Sequence, residues 1–110
     1  MTALNWDLAQ IDDKLSLRLN GELSRNTLLP LWQQRAAFLS VEKLSQSHIE
    51  FDLTNLTRID SAGFALLCDF LNFALRLPHK KVSLKNPPNQ LLTLSDLVNL
   101  KDYINSFIHN

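Results

Sequence analysis

The chain has 110 residues, with eleven basic side chains against eleven acidic ones, 45% hydrophobic residues and 20% charged residues. This is the composition of one globular domain with one core, too short for a second domain and too apolar for a disordered chain. A formal net charge of zero removes the electrostatic basis for non-specific nucleic-acid binding or for adhesion to an anionic membrane.

The first residues, MTALNWDLAQIDDK, hold no basic segment followed by an apolar run, so no secretory signal is expected. Leu4, Trp6, Leu8 and Ile11 read as one strand, and Leu15, Leu17 and Leu19, alternating with Ser16, Arg18 and Asn20, read as its partner. Asp12-Asp13 is the predicted tight turn between them, and Gly21 the predicted end of the second strand. From about Thr27 to Ser40, Leu28, Leu31, Trp32, Arg35 and Leu39 recur at helical spacing, with Ser24 or Asn26 as the expected cap. Pro30 requires that this helix begin near Leu29 or bend there, because proline is free only in a first turn.

Ile49, Phe51 and Leu53 alternate with Glu50, Asp52 and Thr54 as a third strand. Thr57-Arg58-Ile59-Asp60 leads into a helix from about Ser61 to Leu77, stopped by Pro78. Val82-Ser83-Leu84 forms a short fourth strand before Asn86-Pro87-Pro88. A further helical pattern covers Leu91, Leu92, Leu94, Leu97 and Val98, and the tail with Leu100, Tyr103, Ile104 and Phe107 forms a short helix or caps the core. The order β-β-α-β-α-β-α-α gives an α/β domain of two layers, a mixed four-stranded sheet with helices on one face. The longest apolar run, Phe64 to Cys68, is far short of the roughly 20 residues of a membrane span. The expected compartment is the cytoplasm.

The sharpest local feature is Asp60-Ser61-Ala62-Gly63 at a strand-to-helix junction. Asp and Ser are preferred N-caps, since their oxygens accept the orphan N–H groups of a first turn. Gly63 is costly inside a helix, by about 1 kcal/mol against alanine. It removes a side chain where another surface can approach. A phosphate on Ser61 would be favoured by the helix dipole and repelled by Asp60. In the following helix Asp69, Asn72 and Arg76 occupy one narrow polar arc, and Phe64, Leu66, Leu67, Phe70, Leu71, Phe73, Leu75 and Leu77 cover most of the rest. The excess apolar surface calls for flanking helices or another protein.

Chemistry-bearing constellations are missing from the sequence. The glycines are Gly21 and Gly63 alone, so no loop cradles a phosphate. His48, His79 and His109 stand apart and read as surface or loop histidines, not metal ligands, and Cys68 reads as a buried, inert thiol. Lys80, Lys81 and Lys85 read as a solvated strand edge, not a lipid-head site, and Trp32 as a core residue or an interface anchor. No catalytic residue, metal or cofactor is expected.

The strand Ile49–Leu53, the junction Arg58-Ile59-Asp60-Ser61-Ala62-Gly63 and the helix start Phe64-Ala65-Leu66-Leu67 resemble the STAS domain, the fold of anti-sigma-factor antagonists and sulfate-transporter tails. Gly21-Glu22-Leu23 and the string Leu28-Leu29-Pro30-Leu31-Trp32 bring the resemblance nearer to the stand-alone STAS subunits of bacterial phospholipid ABC transporters, which maintain outer-membrane lipid asymmetry. The resemblance spans about Leu15 to Ile104, and the tail beyond about Val98 is longer than that family pattern. It implies a non-enzymatic protein, peripheral to the inner membrane, that binds the transporter's nucleotide-binding ATPase subunit and supports its assembly and activity. The residues expected to bind that partner are Asp60, Ser61, Ala62 and Gly63, as a close-approach surface at the helix N-terminus, and Phe64, Leu28 and Trp32, as apolar contact area. The competing reading is an anti-sigma-factor antagonist controlled by phosphorylation of Ser61. A small-ligand sensor is a third class, without a polar cluster in the sequence to support it.

Overall fold

The computed structural model describes residues 3–39, 46–77 and 80–108. The expected hairpin forms, with β1 (Leu4–Ile11) antiparallel to β2 (Lys14–Leu23). Asp12 turns the corner in the left-handed region, at φ 54°, which Asp tolerates better than most residues. Gly21 does not end β2. At φ +100° it carries a bulge after which the strand continues to Leu23 in a new direction. A Cβ there would overlap the backbone of Ala3.

That bend divides β2 between two parallel partners. Lys14 to Arg18 pair with β3 (His48–Asp52), and Gly21 to Leu23 pair with β4 (Leu56–Ile59). β5 (Lys81–Lys85) adds parallel to β3, so the mixed sheet has five strands rather than four. β4 escapes the alternation rule because Thr57 and Arg58 are both exposed between buried Leu56 and Ile59.

α1 (Leu28–Gln33) is shorter than its spacing suggests and passes into a 3-10 turn, Arg35–Ala37. Pro30 lies in the first turn, where its absent N–H costs nothing. The cap position is Thr27, not Ser24 or Asn26, and its hydroxyl is engaged elsewhere, donating to the Glu22 carbonyl at 2.8 Å. α2 (Ser61–Leu75), α3 (Asn89–Leu97) and α4 (Lys101–Asn105) complete the chain. Pro78, His79, His109 and the end of the first expected helix at Ser40 lie outside the described residues.

One face of the sheet presents Leu17, Phe51 and Leu84 in register, and Ile49 beside Val82. Leu31, Leu67, Leu71, Leu91 and Ile104 from the four helices close over them in one core. α2 is covered by this packing as its apolar breadth demands, with Leu75 left exposed. No helix of the described residues is long and apolar enough to cross a membrane.

The tail after α4 returns to the sheet. Leu84 donates its N–H to the Phe107 carbonyl at 2.8 Å and bridges Ile108, while the Phe107 ring packs edge-on to Tyr103. The tail thus both forms a helix and closes the core. Phe107→Ala should destabilise the domain by about 3–5 kcal/mol, read as a lower urea midpoint at unchanged slope.

Candidate functional site

The junction between β4 and α2 is built around one carboxylate. Asp60 caps α2, its Oδ1 accepting the Gly63 N–H at 2.8 Å, and its Oδ2 accepts the Arg25 N–H at 3.1 Å. One side chain therefore ties the start of α2 to the loop that feeds α1. Burial pushes the Asp60 carboxyl up, but the N–H groups of Gly63, Arg25 and Ala62 and the charge of Arg58 outweigh it and hold the group below the usual carboxylate range. The loop is braced from below. Buried Glu22 accepts the Ser24 hydroxyl at 2.6 Å and lies 3.8 Å from the Arg58 guanidinium.

Gly63 is buried, and its missing side chain serves the chain itself. A Cβ at Gly63 would overlap the Leu23 carbonyl oxygen and lie 2.8 Å from its carbon. The close approach expected at this glycine is therefore taken by the end of β2, not left open for a partner. Phe64 is buried as well. Both residues support the surface from beneath and present none of it. The surface members are Ser61, which is exposed, and Ala62, which is half-buried. The Ser61 hydroxyl makes no hydrogen bond among the described residues, so Asp60 alone caps the helix.

Beside this corner runs a groove between α1 and α2. Leu28 and Trp32 form one wall, and Ala62, Ala65, Leu66 and Asp69 the other. Trp32 is 37% exposed because Leu31, wholly buried, takes the core position of the same turn. Further along α2 the groove becomes charged. Trp32 and Asp69 continue into a depression of about 280 Å3 that also holds Arg35, Asn72 and Arg76. The Arg35 guanidinium lies 3.7 Å from the Trp32 ring centre and donates to the Trp32 carbonyl at 2.8 Å. From Ala62 to Arg76 the α2 wall is about 21 Å long.

The structure thus brings Leu28, Trp32 and Ala62 into one groove, with Asp60 and Ser61 at its α2 end. Ala65, Leu66, Asp69 and Arg35 belong to it as well. The signal for the α2 residues was the helical spacing of positions 62, 65, 66 and 69. Cys68 is half-buried, and burial, helped by Asp69, pushes its thiol up to about 11, so it is held protonated and unreactive. No group of three or more His, Cys, Asp or Glu residues among those described is arranged to hold a metal.

With this geometry in hand, the relatives are informative. The family profile described as "Mlab, STAS domain" matches residues 6–107. The chain belongs to this family. It is 56% identical over 105 residues to the "Intermembrane phospholipid transport system binding protein MlaB" of Haemophilus influenzae, covering 96% of this chain and 99% of that one. It is 33% identical over 98 residues to the protein of the same name from Escherichia coli, covering 89% and 90%. Among solved structures, the unphosphorylated anti-sigma-factor antagonist SpoIIAA superposes with a TM-score of 0.67 at 19% identity, over 90% of this chain and 84% of that one. An anti-sigma-factor antagonist from Mycobacterium paratuberculosis gives 0.63 at 16% identity, over 94% and 93%. Those likenesses establish the STAS fold alone. Since the family match reaches residue 107, the tail after Val98 is part of this STAS domain rather than a departure from it.

Two variants separate the roles of the corner. Gly63→Ala forces backbone against backbone and should cost about 3 kcal/mol, measured by chemical denaturation. Asp60→Asn should flatten the acid limb of stability. A carboxyl held low contributes stability above its ordinary value near 4, about where the unfolded chain titrates, and loses it as pH falls through the depressed value. Melting temperatures between pH 6 and pH 2 should therefore converge for the two proteins at the acid end.

Proposed function

We propose that this STAS domain is the accessory subunit of an ABC-type phospholipid transporter, and that it docks on the MlaF-like nucleotide-binding ATPase subunit through the α1–α2 groove and the Ser61 corner. The observation that carries the reading is the 56% identity, over nearly the full length of both chains, to a binding protein of an intermembrane phospholipid transport system. The groove supplies what a docking site needs. It has an exposed indole, an α2 wall that includes the small side chains of Ala62 and Ala65, and a hydroxyl without a partner among the described residues at the positive end of α2.

In this reading the chain is not an enzyme. It binds the assembled state of the ATPase more tightly than the separate subunit and so stabilises that state by mass action. Its place is the cytoplasmic face of the inner membrane, held there by the complex and not by its own insertion. Phosphorylation of Ser61 would put a dianion beside the Asp60 carboxylate and in the path of the partner, opposing docking. The likeness to anti-sigma-factor antagonists, at 15–19% identity, is one of fold and lends no support to that role.

Ser61→Arg and Ala65→Arg place a long cation on exposed positions outside the core. Each should leave the melting temperature within a degree or two of wild type and reduce capture of the tagged ATPase subunit by roughly tenfold or more. Full capture by both variants would remove the groove from the interface. The isolated chain should turn over no ATP in a coupled assay.

A further inference from the structure

We propose that the helix-free face of the sheet carries an anion site over β5, which takes a phosphate group borne by a small organic phosphate or by a lipid headgroup. The strand register puts Lys81, Ser83 and Lys85 on that face, opposite His48, Glu50 and Asp52 of β3. Over them lies a concavity of about 330 Å3, with His48, Glu50, Lys81, Ser83 and Lys85 in its lining and Ile108 at its rim. Lysines at strand positions two residues either side of a serine stand one same-face spacing from it, about 7 Å. Both stems are long enough to converge above Ser83.

The base of the site is built. Ser83 is only 5% exposed although none of the described helices packs on this face, and its hydroxyl lies 2.8 Å from His48 Nε2. Glu50 is the carboxylate in the lining, and it is already compensated from the far side. Its Oε1 accepts the Ser16 hydroxyl at 3.1 Å and its Oε2 lies 3.4 Å from Lys14 Nζ. Asp52, across from Lys85, has its Oδ1 taken by the Thr54 N–H and hydroxyl at 3.0 and 2.5 Å. Lys81 and Lys85 form no ion pair among the described residues. The concavity thus holds two ammonium groups outside any ion pair of the described residues, of which Lys85 also acts through its charge on the Asp52 carboxylate, together with a hydroxyl and an imidazole bonded to each other. A doubly charged phosphate satisfies that set better than a single carboxylate does.

The alternative duty for such lysines, guarding a sheet edge, is not needed at β5. The tail already occupies that edge at Leu84. The site lies on the opposite side of the sheet from the α1–α2 groove, so the two stand or fall separately.

The test is a titration of isotopically labelled full-length protein with sn-glycerol 3-phosphate, followed by amide NMR, beside co-sedimentation with phosphatidylcholine vesicles with and without phosphatidic acid. The expected result is saturable shifts confined to residues 48–50 and 81–86, or sedimentation that requires phosphatidic acid. Lys81→Ala/Lys85→Ala should weaken either by about tenfold or more, with Lys101→Ala unchanged. Response to the soluble ester identifies a free organic phosphate, and response to vesicles alone identifies a headgroup. No binding in either arm, or binding equal in the double variant, overturns the proposal. The amide spectrum of the variant reports its fold in the same experiment.

Discussion

The meeting of the Leu23 carbonyl with Gly63 is the constraint on which the architecture turns. β2 reaches that point only because Gly21 bends it away from β3 and towards β4. α2 starts there only because a residue without a side chain lets the helix settle on the strand end. Asp60 then uses one carboxylate to fasten both the first turn of α2 and the loop entering α1. The groove between the two helices follows from this arrangement. The backbone contacts at Gly63 and Asp60 set the spacing of the two helices, and the side chains of Leu28, Trp32, Ala62, Ala65, Leu66 and Asp69 line what lies between them.

Much of this was legible in the residues, and the parts that were not have physical reasons. Alternation at Leu15, Leu17, Leu19 and at Ile49, Phe51 gave two strands directly, because one face of each is buried. β4 was not readable, since its central Thr57 and Arg58 both face water and its existence depends on a partner strand remote in sequence. The helix after Gly21 was readable in kind and overestimated in length. The spacing of Leu28, Leu31, Trp32, Arg35 and Leu39 does not distinguish a continuous helix from a short one followed by a 3-10 turn. At the site, the junction Asp60–Gly63 announced itself by residue type. What the sequence withheld was direction: Gly63 and Phe64 turn inwards, Trp32 turns outwards, and each of these depends on which neighbour claims the core position.

Membership of the family and likeness of fold carry different weight here. The STAS fold is shared with anti-sigma-factor antagonists at identities where side-chain roles are not transferable. The relatives named MlaB match along nearly the whole chain, and the family profile reaches Phe107, whose carbonyl accepts the Leu84 N–H. Ser61 shows how the two levels meet. The N-cap duty that would otherwise explain a hydroxyl at this position is discharged entirely by Asp60, so Ser61 is available for contacts outside the chain.

The bridge between Leu84 and Ile108 has a consequence for assembly. An open sheet has two margins, and polymers grow when both can accept a strand. In this domain one margin is met at Leu84 by the segment after α4, while β1 pairs with β2 alone among the described strands and carries exposed Leu8 and Ile11. The contact at Leu84 is a single bridge within β5, so it limits strand addition on that side while leaving the outer side of β1 unaffected.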